Sequence, residues 1–393
     1  MNNHRNARIF IALIFLAMFI YGAASQMLGT LISRIMLHYG LRMAQAGLLS
    51  TFINAGNFAA IFTITVFSGR IDKKILLAAS LFFYSASFFL VSTAPLFGVL
   101  LAGFALIGVF GATLDTLLNS LVADHFPGNV SPGMSMLHGF FGLGGLSGPI
   151  VIERLALSFS WPQVYFIVSM VFAVYLFLYA VLLKLQWNGL KTNAEGRQQS
   201  GFGFTDVVRF FTRKKHVLLW ITMFFYGGNQ STLAVWLKRY IETHLNEPVW
   251  GAWVLSAMWL GIAVSRLVIS PLIKAPSPKK IMAGNLISAA ALIAGLFSGS
   301  VQGIAAASLV VGLCSGFTIP LILALGCEWH REKTVFGTIM PFTALFLAYM
   351  VFPPFSGMLS DLMGIPWGVA VGAAGAVLAG VFSCILQNRM KHD

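Results

Sequence analysis

Met18-Phe19-Ile20-Tyr21-Gly22 in the first half of the chain reads against Met223-Phe224-Phe225-Tyr226-Gly227 in the second. The same offset pairs Leu28 with Leu233 and Arg34 with Arg239. Further on, Asp72-Lys73-Lys74-Ile75 faces Pro278-Lys279-Lys280-Ile281, and Gly133, Met136 and Pro149 face Gly337, Met340 and Pro353. A period of roughly 205 residues is far longer than the roughly 20–50 of a solenoid repeat. It fits two bundles of six membrane spans each, the parallel-repeat plan of many secondary transporters, in which the substrate site lies between the halves near the bilayer midplane.

The composition agrees. The chain is 58% hydrophobic and 9% charged, against about 25% charged in soluble domains. A soluble fold has no way to hide so much apolar surface, so the bilayer must be the solvent for most of it. The net charge of +13 does not indicate nucleic acid, because the cations sit in short loops between apolar runs and no basic groove with interleaved aromatics can be drawn. Cys314, Cys327 and Cys384 form neither a CxxC motif nor a Cys/His metal spacing, and no disulfide framework is implied. The first apolar run, about Ile9 to Ile32, is too long for the apolar region of a signal peptide and reads as an uncleaved span.

A span needs about 20 apolar residues. Twelve candidates follow, at roughly 9–32, 44–67, 75–93, 96–122, 133–157, 162–185, 217–240, 249–272, 280–299, 303–326, 335–359 and 366–388. Breakers such as Ala94-Pro95, Pro127-Gly128, Trp161-Pro162 and Glu247-Pro248 separate them. The expected fold is therefore an all-α membrane protein, twelve transmembrane helices in two pseudo-symmetric six-helix bundles. Residues 1–185 form the first bundle, 186–216 a linker and 217–393 the second bundle. Lys and Arg crowd alternate loops, which predicts both termini on the cytoplasmic side of a cell membrane, a bacterial inner membrane by this reading. Within the linker, Val207, Val208, Phe210 and Phe211 interleave with Arg209, Arg213, Lys214 and Lys215. That pattern suits either a short interfacial helix on anionic headgroups or a flexible basic linker.

The enzymatic and ATP-driven motifs are missing: GxxxxGK[ST], HExxH and GxSxG do not occur. The string Gly142-Leu143-Gly144 followed by Gly148 imitates a dinucleotide fingerprint but lies inside an apolar span, where close helix packing explains it. No enzyme activity and no cofactor is expected, beyond the proton as coupling ion.

The residues that should carry chemistry are the polar ones inside spans. Asp115 in the fourth span is followed one helical turn later by Asn119, on the same face. A charge there costs at least about 2.5–3.5 kcal/mol on insertion scales, so the carboxyl either faces a watery cavity or takes up a proton. Its functional reading is proton coupling, and its structural reading is a protonated carboxyl bridging helices. His138, near the start of the fifth span, lies within about 6 Å of the depth of Asp115 by helical rise. A relay between them is one reading, and a neutral histidine bonded to a backbone carbonyl is the other. Arg266 in the eighth span either binds a ligand through its planar guanidinium or snorkels to the near membrane face.

The repeat-matched segments supply candidate binding groups: Tyr21, Ser25 and Gln26 in the first span, and Tyr226, Asn229, Gln230, Ser231 and Trp236 in the seventh. Amides and hydroxyls in a span must find partners or face a cavity, and beside aromatic faces they suit a polyhydroxylated ligand. Interhelical hydrogen bonding is the alternative. In the loop between spans two and three, Asp72 and Lys73 serve either a gate or simple topology signalling.

These residues carry a resemblance. The whole chain resembles a major facilitator superfamily transporter, on the loop Ser68-Gly69-Arg70-Ile71-Asp72-Lys73-Lys74, which is similar to that superfamily's G-x-x-x-D-[RK] loop. Ser68 replaces the usual leading glycine, and the glycine after the charged pair is missing. Within the superfamily the chain is most similar to the fucose:proton symporter branch. The carriers of that likeness are Tyr226-Gly227-Gly228-Asn229-Gln230 through Trp236 to Arg239-Tyr240, Asp115-Thr116 with Asn119, Ser265-Arg266 and Pro320. The resemblance implies that Asp115 is the protonation site. Such symporters also carry an acid in the first span, and Gln26-Met27-Leu28-Gly29-Thr30 has none. Gly144-Gly145-Leu146-Ser147-Gly148-Pro149 partly resembles a fifth-span motif of drug:proton antiporters, without the glycines expected after the proline.

The sequence thus leads to proton-coupled symport of a small polar solute, a sugar among the expected substrates, by alternating access. The site residues are Asp115, His138, Tyr21, Gln26, Asn119, Tyr226, Asn229, Gln230, Trp236 and Arg266. The protein is expected to act as a monomer in the lipid bilayer, with a small-molecule substrate and no nucleic acid partner. The rival readings are a drug:proton antiporter and a non-transporting membrane sensor.

Overall fold

The computed structural model describes residues 2–67, 71–125, 130–186, 204–273, 275–330 and 334–392. Every element of secondary structure among them is helical. This is what a hydrocarbon solvent demands, since only a helix satisfies its own backbone groups within one segment. Ten stretches among the described residues are long and apolar enough to cross a bilayer. The helices α3 (Met43–Phe67) and α9 (Lys214–Thr243), of 25 and 30 residues, complete the expected twelve.

In the first half the other spans are α1 (Asn2–Ala24) continued by α2 (Met27–Tyr39), then α4 (Lys73–Ser92), α5 (Phe97–His125), α6 (Val130–Ser158) and α7 (Trp161–Gln186). After a short helix α8 (Phe204–Thr212) come α9 and then α10 (Pro248–Val264), which runs through a π-helical turn, Ser265–Ile269, into α11 (Ser270–Leu272). The chain ends with α12 (Pro278–Phe297), α13 (Val301–Ser315) continued by α14 (Thr318–Trp329), α15 (Thr334–Met363) and α16 (Ile365–His392). The linker residues 187–203 and Ser68, Gly69 and Arg70 of the motif loop lie outside the described residues.

Contacts divide the chain into two units: Met1–Tyr39 with Phe52–Gly196, and Gly40–Thr51 with Arg197–Asp393. In the first, α1 packs on α6, and α4 packs on α5 and α7. In the second, α9 packs on α15 and α16, α12 on α13 and α16, and α10 on α13. The pairs α1–α6, α4–α5 and α4–α7 are thus repeated as α9–α15, α12–α13 and α12–α16.

The repeat extends to glycines that the sequence comparison did not pair. Gly56 on α3 and Gly108 on α5 meet at a crossing so close that a Cβ on either would collide with the facing backbone, at Ala105 O and Ile53 O. Their counterparts one repeat later, Gly261 on α10 and Gly312 on α13, meet in the same way, against Leu309 O and Met258 O. Helices in lipid lack a hydrophobic drive toward one another, so small residues that admit close approach hold such crossings.

The first turns of α3 belong to the second unit. The Met43 and Ala44 N–H groups donate to the two carboxylate oxygens of Asp361, at 3.0 and 2.9 Å. Ser50 and Thr51 hydroxyls donate to the carbonyls of Tyr349 and Met350, at 3.0 and 2.6 Å. Helix α8 turns Phe210 inward onto Phe336, Met340 and Trp220, while Val208 and Phe211 are exposed.

Candidate functional site

The first unit gathers its polar groups around Asp115. The Asn119 side-chain amide donates to the Asp115 carboxylate at 3.0 Å and to its backbone carbonyl at 2.8 Å. The i,i+4 spacing therefore makes a real contact. Two phenols face the same carboxylate and interact with it electrostatically, those of Tyr21 on α1 and Tyr84 on α4. Their rings lie 5.9 Å apart, and Tyr21 also packs against Phe141 of α6 at 5.8 Å.

Gly111 explains how both rings reach the site. It lies one turn before Asp115 on the same face of α5. A Cβ there would stand 3.0 Å from the Tyr84 ring and 3.3 Å from the Tyr21 ring. The missing side chain leaves room for both rings to seat beside the acid. Tyr84 is 2% exposed and escaped the sequence reading. Its signal was a hydroxyl inside the apolar run Leu81-Phe82-Phe83-Tyr84, which must find a polar partner.

The first span breaks at Ser25-Gln26, between α1 and α2. The Ser25 hydroxyl donates to Gly22 O at 2.7 Å, and the Gln26 amide donates to the Ser25 oxygen at 2.8 Å. Interrupted helices of this kind line substrate sites in transporters. Gln26 itself is buried.

The second unit gathers around Tyr226 and Arg266. On α9, Tyr226, Asn229 and Gln230 fall at i, i+3 and i+4, on one face. All three are at most 3% exposed. The Asn229 amide donates to Gly372 O at 2.9 Å. The Asn229 carbonyl oxygen and the Gln230 amide nitrogen are buried without hydrogen-bond partners among the described residues.

Arg266 sits on the π-helical turn, a feature that recurs at functional sites. Its Nε donates to Gly316 O at 3.3 Å. The cause lies four residues beyond Gly316. Pro320 has no N–H, so it cannot bond the carbonyl of the residue one turn before it, and the tenth span breaks between α13 and α14 at that point. Arg266 fills the carbonyl that the proline leaves free. It also interacts electrostatically with the phenols of Tyr226 and of Tyr349 on α15. Arg266 is half-buried.

Other expected site residues take different places. Trp236 is fully buried and its ring N–H donates to Pro353 O at 3.0 Å, tying α9 to α15. His138 is exposed on α6, while the side-chain bond of Asp115 goes to Asn119. Asp72 caps α4 by accepting the Lys74 N–H at 2.8 Å, and Lys73 pairs with Asp124 at the end of α5, 2.7 Å away on the surface.

Comparison with known proteins agrees with this architecture. The profile of the Major Facilitator Superfamily matches residues 14–340, and the chain belongs to that family: it is a multi-pass membrane transporter. A curated relative is the glucose/mannose transporter GlcP of Bacillus subtilis (strain 168), 29% identical over 169 residues, which are 42% of this chain and 41% of that one. The match thus spans less than half of that relative's length. Among solved structures, the peptide transporter POT in complex with sulfate superposes with a TM-score of 0.77 at 14% identity, covering 97% of this chain and 94% of that one. The nucleoside transporter NupG gives 0.75 at 13%, covering 96% and 98%. The Escherichia coli fucose:proton symporter FucP gives 0.63 at 19%, covering 97% and 99%. At such identities these structures establish the twelve-helix fold.

Proposed function

We propose that this transporter moves a small polar solute, a sugar or sugar derivative, together with protons by alternating access. Asp115 loads and releases the proton, and the Tyr226–Asn229–Gln230 face of α9 contacts the solute. The observation that carries this reading is the environment of Asp115: an acid within a span, held by Asn119 at 3.0 Å and faced by two phenols. Such a carboxyl is costly while charged and unpaired, so gain and loss of a proton couple readily to what surrounds it. The sugar transporter GlcP and the fucose:proton symporter FucP support the substrate class by analogy. In this reading the protein is not an enzyme, needs no cofactor and works as a monomer in a bacterial inner membrane, with both termini cytoplasmic.

The test is solute-induced pH change in proteoliposomes, with sugars, sugar acids and amphiphilic cations as solutes, for the wild type and Asp115→Asn. Inward proton movement with a sugar or sugar acid, lost in the variant, is the expected result. Uphill accumulation undiminished in Asp115→Asn sinks the coupling role. Proton counterflow with the cations moves the protein to the drug antiporters, and binding without flux makes it a sensor.

A further inference from the structure

The second unit holds a cation inside a span, and its surroundings specify what should meet it. Arg266 donates through Nε to a backbone carbonyl and stands against the phenols of Tyr226 and Tyr349. Ion pairs among the described residues include Arg34–Glu153, Lys73–Asp124 and Lys238–Glu242. None gives Arg266 a carboxylate. A guanidinium in low dielectric without a counter-charge is expensive, and it is the group best shaped to take a planar anion through two parallel hydrogen bonds. The π-helical turn carries it, half-buried, against the start of α14 and these phenols. The neighbouring Tyr226 is fully buried, and its hydroxyl interacts with the Arg266 guanidinium. One turn along the same face, Asn229 and Gln230 each keep one buried polar atom unpartnered. The cation thus adjoins a helix face carrying two amides with free polar atoms that can bind hydroxyls.

We propose that Arg266 recognises a carboxylate on the transported solute, and that the substrate is a polyhydroxylated monocarboxylic acid, such as a uronate or aldonate, rather than a neutral sugar. The assignment rests on the symport reading, and it adds a charge balance to it. One proton carried with one monoanion moves no net charge. Uptake then responds to a pH gradient and is indifferent to membrane potential.

The experiment uses the full chain in proteoliposomes, with glucuronate, gluconate, glucose and glucose 6-phosphate as probes. Uptake is followed under an imposed pH gradient and, separately, under an imposed potential. At least one of the two acids is expected to enter saturably with the pH gradient and without response to potential, with glucose much slower. Arg266→Gln raises the apparent KM for that acid by roughly 10- to 100-fold, the loss of a charge-assisted pair, and Arg266→Lys recovers part of it. Because Arg266 also holds Gly316 O, folding is controlled by thermal unfolding in detergent. Glucuronate or gluconate stabilises the wild type, and stabilises Arg266→Gln far less even where the variant's own Tm is unchanged.

Proton-coupled glucose uptake with indifference to both acids overturns the inference and leaves the symport reading standing. Equal handling of an acid by wild type and Arg266→Gln overturns it too, as does a preference for glucose 6-phosphate over both acids. Acid uptake that charges the membrane and moves no protons keeps the role of Arg266 and removes proton coupling instead.

Discussion

Each unit places a repeat-matched tyrosine beside a charge inside a span, and the two charges are opposite. Tyr21 faces Asp115 with Tyr84 as the second phenol. Tyr226 faces Arg266 with Tyr349 as the second. Tyr21 and Tyr226 and the glycine crossings follow the repeat, while the second phenols, Tyr84 on the third span and Tyr349 on the eleventh, do not. The charges do not, since Asp115 is on the fourth span and Arg266 on the eighth, whose repeat partner is the second. Packing between helices in lipid constrains the small residues at close crossings, and both halves keep those. A charge is tolerated wherever a partner or a cavity meets it, so each half was free to acquire its own.

The division of labour between the two charges gives the largest expected effect. Asp115→Asn should reduce uphill accumulation to passive equilibration while leaving solute exchange across equal concentrations intact. Arg266→Gln should impair both, through an apparent affinity lowered about tenfold or more. Counterflow and pH-driven uptake measured side by side check this. Identical phenotypes in the two variants would dissolve the contrast.

The glycine crossings test whether the halves are mechanically alike. Gly108→Val and Gly312→Val should each destabilise by about 3 kcal/mol, the upper part of the range for overpacking, because each Cβ meets a backbone carbonyl that cannot step aside. Thermal unfolding in detergent reads this. A large loss in one half and none in the other would show that the repeat is not mechanical.

A smaller asymmetry lies one turn before the acid. Gly111→Ala pushes against both tyrosine rings, at 3.0 and 3.3 Å, and should cost about 1 kcal/mol together with slower proton-driven uptake. Its repeat counterpart Ser315 already carries a side chain, bonded to Val311 O at 2.7 Å, and Ser315→Ala should cost less than about 1 kcal/mol without a change in transport. Initial rates and unfolding of both variants sharpen the comparison.

The smallest effect concerns the paired arginines. Arg34 holds Glu153 through two bonds, at 3.0 and 2.7 Å. Its counterpart Arg239 interacts electrostatically with Glu242 and Asp361, but the oxygens of Asp361 already accept from Met43 and Ala44 N–H. Arg34→Met should cost about 1 kcal/mol, discounted for partial exposure, and Arg239→Met about half of that or less. Equal losses on unfolding would mean that the Asp361 cap does not relieve Arg239 of its partner.

Much of this was legible along the chain. Span length, apolar composition and the repeat of Tyr21 and Tyr226 determined a twelve-span, two-bundle protein, because in hydrocarbon a backbone has few alternatives to the helix. The helical period alone brought Asp115 and Asn119 to one face, and put Tyr226, Asn229 and Gln230 on another. Partners from other helices were not legible. Trp236 spends its N–H on Pro353 O, Tyr84 and Tyr349 turn toward the charges, and Arg266 reaches the carbonyl that Pro320 releases. Each depends on how one helix is rotated against another and on how closely a glycine lets them cross. The sequence by itself determined which helices form and which polar groups share a face. The tertiary structure alone decided what those groups meet, because a side chain's partner across a helix crossing is set by packing geometry rather than by spacing along the chain.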